Sequence, residues 1–208
     1  WFGLQLANGN SLIGARRETY PTHLLLPRKG KGGSKARWPE EAPTSIFKDF
    51  TPHPSDFTPP VRPTDGVYHW LLGDPGMSKY EDKVIKSLAK PKLDQIKDWR
   101  NGFVTPFAED EIDELKLLSK AADTLFQRHY EATQKLRIET TDIVHVWGQP
   151  KPESTKRPTT THEKDKKWAT EIKHPYSPYS RLKLAMDYWC ALWFWPIEQA
   201  QLLPTRQQ

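Results

Sequence analysis

The sequence has one cysteine, no long hydrophobic run and no secretory signal at its start. Cys190, being alone, excludes a disulfide bond within the chain and leaves no basis for a cysteine-based zinc site. The longest apolar run, near residues 184–197, contains Asp187 and is shorter than the roughly 20 residues that a membrane span requires. Residues 1–15 lack a basic region followed by an apolar core. We therefore expect a cytoplasmic protein that makes no contact with a membrane.

The sequence also lacks the signatures of several enzyme classes. It contains no HExxH pair, no nucleophile elbow, and no glycine-rich loop placed between a strand and a helix. Its seven histidines are scattered along the chain. His69 and His145 each fall in a predicted strand, where packing in the core is the simpler interpretation and a shared metal ion is the alternative. Spacing alone therefore assigns no catalytic residue.

Positive charge is concentrated near the start of the sequence. The formal net charge of the chain is +5, and residues 1–37 hold seven arginines and lysines against one acidic residue, Glu18. The remainder of the chain is close to neutral. Such a local excess is a signal for nucleic-acid binding, although residues 28–37 are equally compatible with a solvated loop. The candidate nucleic-acid contacts are Arg16, Arg17, Arg28, Lys29, Lys31, Lys35 and Arg37.

Hydrophobic periodicity predicts a mainly α-helical chain with small β elements, which is an α+β fold. Thr105-Pro106 and Ser177-Pro178 each pair a capping residue with a proline suited to the first helical turn, so each predicts a helix start. Residues 150–167 are rich in proline, threonine and lysine, and they predict a loop. The predicted strands cover residues 2–7, 66–72 and 141–147, with a strand or irregular segment in 10–26, and the predicted helices cover 78–89, 91–101, 105–138 and the region after 177.

The last predicted helix is apolar on two faces. Because both faces are apolar, we expect the helix to be buried on both sides. A chain of this length offers little to cover it, and the chain begins at Trp1 in the middle of a pattern, so we expect a piece of a larger protein. Its tryptophans offer a stacking platform for bases, but the absence of interleaved arginines favours packing in a core. The two faces are Leu182, Met186, Trp189 and Trp193, and Leu184, Tyr188, Ala191 and Trp195.

Several stretches of the sequence together resemble one enzyme family. They are GNSLIGARR (9–17), GVYHWLLGDPGM (66–77), KVIKSLAKPKLDQIKDWRNGFVTPF (83–107), TTDIVHVWGQ (140–149) and RLKLAMDYWCALWFWPIEQAQLLPTRQQ (181–208). They are similar to the region that large class I AdoMet-dependent adenine-specific DNA methyltransferases carry between their GNSLIG segment and their catalytic NPP-aromatic motif. These are methylases of restriction–modification and phage-defence systems of the type IIG-like, BREX and DISARM kind, and the DISARM-like ones fit best. The resemblance spans nearly the whole chain.

The resemblance implies a helical insertion attached to the edge of a Rossmann-like methylase domain. Ligands of such a sheet bind beyond the carboxyl ends of its strands. The resemblance accordingly places Asn10 and Ser11 beside the adenine of S-adenosyl-L-methionine, with a simple Asn-Gly turn as the alternative. The implied organisation is an edge of the methylase core (1–27), a basic and proline-rich linker (28–65), an α-rich insertion with short strands (66–149), a polar loop (150–176) and a buried apolar helix with a tail (177–208).

Two motifs of the family are missing from these residues. The glycine-rich AdoMet-binding motif is absent, and Pro59-Pro60 and Pro196 lack the Asn/Asp-Pro-Pro-aromatic arrangement. We therefore expect an inactive fragment of a DNA adenine-N6 methyltransferase that does not bind the cofactor by itself. Its expected partners are double-stranded DNA, the rest of the methyltransferase polypeptide and other subunits of a defence system. The alternative is a non-catalytic module that docks partner proteins of such a system through exposed apolar helices.

Overall fold

The computed structural model describes residues 14–28, 36–49, 60–141, 147–148 and 160–207, and most of them are helical. The helices are α1 (Lys83–Leu88), α2 (Lys90–Phe103), α3 (Glu109–Thr140), α4 (Thr161–Glu171) and α5 (Pro178–Ala191). Three short strands, β1 (Glu18–Pro21), β2 (Thr44–Ser45) and β3 (Gly66–Tyr68), form an antiparallel sheet in the order β2-β1-β3. The predicted α+β fold class is confirmed at this level. Within the described ranges, no helix is both long enough and apolar enough to cross a membrane.

The chain divides into two compact units. The larger, called the sheet unit, comprises residues Asn10–Asp123 and Ala185–Gln208. It holds all three described strands, α1, α2 and the first half of α3. The smaller, called the helical unit, comprises Trp1–Gly9 and Thr124–Leu184 and includes α4.

The strand predicted at residues 66–72 is confirmed for its first three residues only. β3 pairs with β1 so that Tyr68 lies opposite Thr19. The chain then enters a 3-10 turn, His69–Leu71, which buries Trp70 in the core. The alternating pattern continues through this turn, but the backbone changes direction because the core lies to one side of the strand end.

The hydrophobic core of the sheet unit joins the sheet to the start of α3. Trp38 is only 1% exposed, its indole N–H donates to the carbonyl of Gly73 at 3.1 Å, and its ring packs 5.1 Å from that of Phe107. The segment 28–65 therefore contributes a core residue and β2 in addition to connecting its neighbours. The core cluster contains Tyr20, Leu24, Leu25, Ala36, Trp38, Val67, Leu72, Phe107, Ile112 and Leu115.

Helices α1 and α2 follow each other with a break at Ala89. The carboxylate of Asp82 caps α1 by accepting from the backbone N–H groups of Val84 and Ile85. Pro91 lies in the first turn of α2, as predicted. The helix expected over residues 78–89 is thus shorter than predicted and begins after the cap.

The predicted start of α3 at Thr105 is wrong. The helix begins at Glu109, and the Thr105 hydroxyl donates to the carbonyl of Gly102 at 2.8 Å instead of capping α3. The Glu111 carboxylate accepts from the backbone N–H of Ala108 at 2.8 Å. An acidic residue of the first turn thus satisfies a donor at the start of the helix, where negative charge also interacts favourably with the helix dipole.

The predicted loop is wrong over its second part, where residues 161–171 form α4. The Thr160 hydroxyl accepts from the backbone N–H of Glu163, and the Glu163 carboxylate accepts from the backbone N–H of Thr160. This capping box starts the helix although the segment is poor in hydrophobic residues. Residues 142–146 and 149–159, which include most of the predicted strand at 141–147, lie outside the described residues.

Helix α5 begins at Pro178, as predicted, but it is not buried on both faces. The Ser177 hydroxyl accepts from the backbone N–H of Ser180 at 3.1 Å and caps it. Trp189 is buried, whereas Leu184 is 72% exposed and Tyr188 is 46% exposed. Within this chain only one of the two faces is packed, and burial of the other face by a further part of a larger protein stays a prediction.

Candidate nucleic-acid interface

Arg16 and Arg17, two of the predicted nucleic-acid contacts, differ in exposure. The Arg16 side chain is 62% exposed and lies 3.7 Å from the carboxylate of Glu18. Arg17 is half-buried, where its guanidinium donates to the carbonyl of Pro60 at 3.4 Å and lies 5.5 Å from the centre of the Phe47 ring. Arg17 thus contributes to the fold, while Arg16 keeps its charge at the surface.

The other described members of the predicted set also differ. Arg28 forms an ion pair with the carboxylate of Glu40. Arg37 is exposed. The structure therefore leaves Arg16 and Arg37 as the accessible cations among the four described arginines of the set. Lys29, Lys31, Lys35 and the predicted cofactor contacts Asn10 and Ser11 lie outside the described residues.

His69 is held in a neutral form by its surroundings. Its Nε2 accepts from the backbone N–H of Arg16 at 2.9 Å, and its ring meets that of Trp189 edge-on at 5.1 Å. Burial lowers the pKa of His69 to about 4, so the ring is uncharged at neutral pH. His145 lies outside the described residues, and the described part of the chain contains no group of three side chains suited to a metal ion. The packing interpretation of His69 is therefore the one that its contacts support.

The tryptophans of α5 and the turn after it also serve the core. The Trp189 indole donates to the carbonyl of Leu72 at 2.9 Å, and its ring packs against Trp193 at 5.6 Å. The Trp195 indole donates to the carbonyl of Gln199 at 2.9 Å. Because Trp189 is buried and bonded, it offers no open platform on which a base can stack.

A buried charged network ties β3 to α3, and sequence reasoning missed it. Arg62, whose side chain is 7% exposed, donates to the Asp123 carboxylate at 2.9 Å. The Tyr68 hydroxyl donates to the other oxygen of Asp123 at 2.7 Å, and the Tyr68 backbone N–H donates to the Ser119 hydroxyl at 3.3 Å. Burial, followed by the contact with Asp123, raises the pKa of Tyr68 well above its usual range. The network stabilises the fold, since the positive charge of Arg62 and the negative charge of Asp123 are paired within it.

A second basic region, also missed from the sequence, forms a groove of about 430 Å³ along α1 and α2. We call it the lysine groove. Five of its lining side chains are cationic and two are acidic. It is lined by Ser78, Lys79, Tyr80, Glu81, Lys86, Lys90, Leu93, Asp94, Lys97 and Arg100.

The five cationic side chains of the lysine groove differ in whether they already have a partner within the protein. Lys79 is paired with Glu81 at 2.8 Å. Arg100 is half-buried and donates to the carbonyls of Met77 and Ser78 at 3.1 and 3.4 Å, and burial lowers its pKa. The remaining three, called the groove lysines, are exposed and form no ion pair within the described part of the chain. The groove lysines are Lys86, Lys90 and Lys97.

A signal for this groove is present in the sequence. Lys86, Lys90, Lys97 and Arg100 recur at intervals of four, seven and three residues, which places them on one side of a helical segment. A charge count over the whole of residues 38–208 misses this stripe, because acidic residues elsewhere bring that sum to −1 although residues 78–100 alone carry +3. Helical spacing is the measure that finds it.

The sheet unit also contains an aromatic cleft of about 420 Å³ with an acidic edge. Phe103, Phe107, Trp70, Tyr188 and Trp189 line it, together with Asp110, Glu111, Glu114 and Arg206. The guanidinium of Arg206 lies 3.5 Å from the centre of the Phe107 ring and donates to the carbonyl of Pro106 at 3.1 Å. Arg206 offsets one of the three carboxylates, so the edge of the cleft stays acidic.

Comparisons with models of known protein families, with curated proteins and with solved structures find no match to this chain. The chemistry of its own residues is therefore the basis for a function. The lysine groove favours a polyanion, and the aromatic cleft favours an apolar or cationic group.

Proposed function

We propose that the chain is part of a large AdoMet-dependent methyltransferase of a bacterial restriction–modification or phage-defence system. The parent enzyme transfers a methyl group to the exocyclic amine of adenine in DNA after extruding the base. Residues 1–27 form the edge of its Rossmann-like methylase domain. The residues that follow form a helical insertion that positions DNA or braces the catalytic domain.

The observation that carries the proposal is the packing of the methylase-like stretches against one another in the sheet unit. The indole of Trp189, in the stretch 181–208, donates to Leu72, in the stretch 66–77. The indole of Trp99, in the stretch 83–107, donates to the carbonyl of Pro204 at 2.7 Å. These contacts join the stretches in one core, as the parts of a single insertion require.

The proposal assigns Asn10 and Ser11 to the adenine of S-adenosyl-L-methionine. The amide of Asn10 carries both an acceptor and a donor, which match those on an adenine edge. The cofactor itself supplies the activated methyl group. Because the glycine-rich motif is absent from these residues, we expect calorimetric titration of the isolated chain with the cofactor to show no binding, and micromolar affinity would contradict this.

The test uses the full-length polypeptide encoded by the gene. It is incubated with double-stranded DNA and S-adenosyl-L-methionine, and N6-methyladenine is measured by mass spectrometry. We expect methylation, and an Asn10→Ala variant is expected to raise the KM for the cofactor more than the KM for DNA. A full-length polypeptide that lacks both family motifs, or that forms no N6-methyladenine, contradicts the proposal.

A second candidate function is a non-catalytic module that docks partner proteins. The observation that favours it is the aromatic cleft, where Leu118 and Tyr188 are both exposed. Sedimentation of the chain at rising salt tests this candidate. Self-association that persists at high salt and is lost in Leu118→Ser/Tyr188→Ser supports it, and a monomer under all conditions argues against self-association through the cleft.

A further inference from the structure

We propose that the lysine groove binds the phosphate backbone of double-stranded DNA without reading its sequence. This inference rests on the proposed function and deepens it, because it assigns DNA contact to α1 and α2 in addition to the arginines and lysines of residues 16–37.

The charge balance leaves the groove lysines available to a ligand. Glu81 is already paired with Lys79. Asp94 is the remaining acidic side chain of the lining, so three exposed lysines face one unpaired carboxylate. An ammonium group at a solvated surface gains most from a partner of high negative charge density, and the DNA phosphate backbone is such a partner.

The wall of the groove is anchored to the core. Ser78 is buried, has a positive φ of 47° and donates from its hydroxyl to the carbonyl of Leu192 at 2.6 Å. The Tyr80 hydroxyl donates to the carbonyl of Trp195, and Arg100 holds the carbonyls of Met77 and Ser78. These bonds fix the backbone opposite α2, so a ligand meets a preformed groove and orders only the lysine side chains.

The spacing of the cations fits a phosphate backbone. Lys90 and Lys97 are seven residues apart in α2, which is about 10 Å along a helix axis. Phosphates follow each other at roughly 3.4 Å along the axis of one DNA strand. The helix positions of the two lysines are therefore about three phosphate intervals apart, with Lys86 extending the row at the α1 end.

The lining contains no asparagine or glutamine, the side chains that pair with adenine edges. Its one arginine, Arg100, already donates to two backbone carbonyls. The groove thus presents ammonium groups, which act on phosphates as point charges, and it offers no free guanidinium, asparagine or glutamine side chain for reading bases. Contacts of this kind position a duplex and carry no sequence information.

The test compares two triple variants of the full 208-residue chain. One is Lys86→Gln/Lys90→Gln/Lys97→Gln in the groove. The matched control is Lys116→Gln/Lys135→Gln/Lys173→Gln, which removes the same formal charge from described surface positions outside the groove. Binding to a fluorescent duplex of about 25 base pairs is measured by anisotropy between about 50 and 200 mM salt.

The groove variant is expected to bind about tenfold more weakly, with a salt slope smaller by about 2 to 3, since each lost phosphate contact removes about 0.9 from the slope. The control is expected to stay within about twofold of the unchanged chain, because none of its three lysines lines the groove. Circular dichroism confirms that each variant is folded, and Lys90→Gln alone repeats the test with a smaller perturbation.

Three outcomes overturn the inference. Equal losses in the two triple variants mean that net charge acts without the groove. No change in the groove variant, with loss in Arg16→Gln/Arg37→Gln, places the DNA contact elsewhere and leaves the proposed function intact. Tighter binding of RNA than of the duplex identifies a different polyanion. Failure of the proposed function itself appears separately, as absence of N6-methyladenine from the full-length reaction.

Discussion

The sheet and the lysine groove use positive charge in opposite ways. Around the sheet, Arg62 is paired with Asp123, and Arg17 donates to the carbonyl of Pro60. In the groove, the three groove lysines are exposed and unpaired with any described residue. The comparison teaches that the density of positive charge along a sequence does not tell which cations the fold has already used.

The difference follows from the chemistry of the two side chains. A guanidinium has a planar fork of donors that suits carbonyls and carboxylates inside a structure, and it is less strongly hydrated than an ammonium group. Lysine keeps its strongly hydrated charge at the surface and buries only its stem. An arginine-rich segment therefore loses part of its charge to the fold, whereas a helical lysine stripe remains available.

The largest expected effect comes from breaking the buried pair beside the sheet. Arg62→Met leaves the Asp123 carboxylate half-buried without its partner, so we expect the free energy of unfolding to fall by about 3 kcal/mol. Urea denaturation measures this loss. Arg37→Met, at an exposed position, serves as the control and is expected to cost less than about 0.5 kcal/mol. Equal losses of unfolding free energy in the two variants would mean that the Arg62–Asp123 pair does not stabilise the fold.

The sheet unit is also expected to lose stability in mild acid through His69. Its pKa is about 4 in the folded chain and about 6.5 when unfolded, so the unfolded state binds more protons between these values. Stability falls as the pH drops through this window, and the loss by pH 4.5 is about 2 to 3 kcal/mol. Denaturation of His69→Asn and of the exposed-site control His23→Asn at both pH values checks this.

One outcome of the pH experiment would contradict the role assigned to His69. If His69→Asn retains the full loss of stability between neutral pH and pH 4.5, His69 is not the group responsible.

Alanine substitutions at two glycines compare a crowded position with an open one. Gly73 packs against Phe103 at the end of α2, whereas Gly102 lies on a side of α2 that meets no described neighbour. In Gly73→Ala the added Cβ lies 2.4 Å from a ring carbon of Phe103 and 3.0 Å from its carbonyl oxygen. We expect a loss of about 1 to 3 kcal/mol on thermal or urea unfolding. In Gly102→Ala the Cβ meets nothing within 4 Å, and a gain of about 0.5 kcal/mol is expected. A change of unfolding free energy with the same sign in both variants would contradict the packing of Gly73 against Phe103.

The smallest expected effect is on the stability of the groove variant. Lys86→Gln/Lys90→Gln/Lys97→Gln changes exposed side chains that hold no described partner, so its free energy of unfolding is expected to stay within about 0.5 kcal/mol. Urea denaturation in parallel with the unchanged chain measures this. A loss above about 1 kcal/mol would mean that the groove lysines serve the fold, as the arginines near the sheet do.

Local signals in the sequence were enough to predict several elements. Pro91 and Ser177-Pro178 mark helix starts through their own backbone and capping chemistry, and the structure confirms both. Helix α4 also has a local signal, its Thr160–Glu163 capping box, but the segment's proline-rich and weakly hydrophobic composition predicts a loop instead. A cap starts a helix whether or not an apolar face follows.

Other features depend on residues far apart in the sequence. Arg62 and Asp123 are separated by 61 positions, and no local pattern pairs them. The exposure of Tyr188 is a feature of this kind, because an apolar face in the sequence does not tell whether the chain supplies a surface to cover it. The lysine groove lies between these cases, since its stripe is local but its concave wall comes from the bonds of Ser78 and Tyr80 to distant carbonyls.

The most direct measurement of the central claim is a map of backbone amide shifts, by NMR, as duplex DNA is added to the chain at moderate salt. The account predicts that the shifts concentrate in α2 between Lys90 and Arg100, with weaker changes at the accessible cations Arg16 and Arg37. Shifts concentrated at Arg17 and β1, with α2 unaffected, would contradict it.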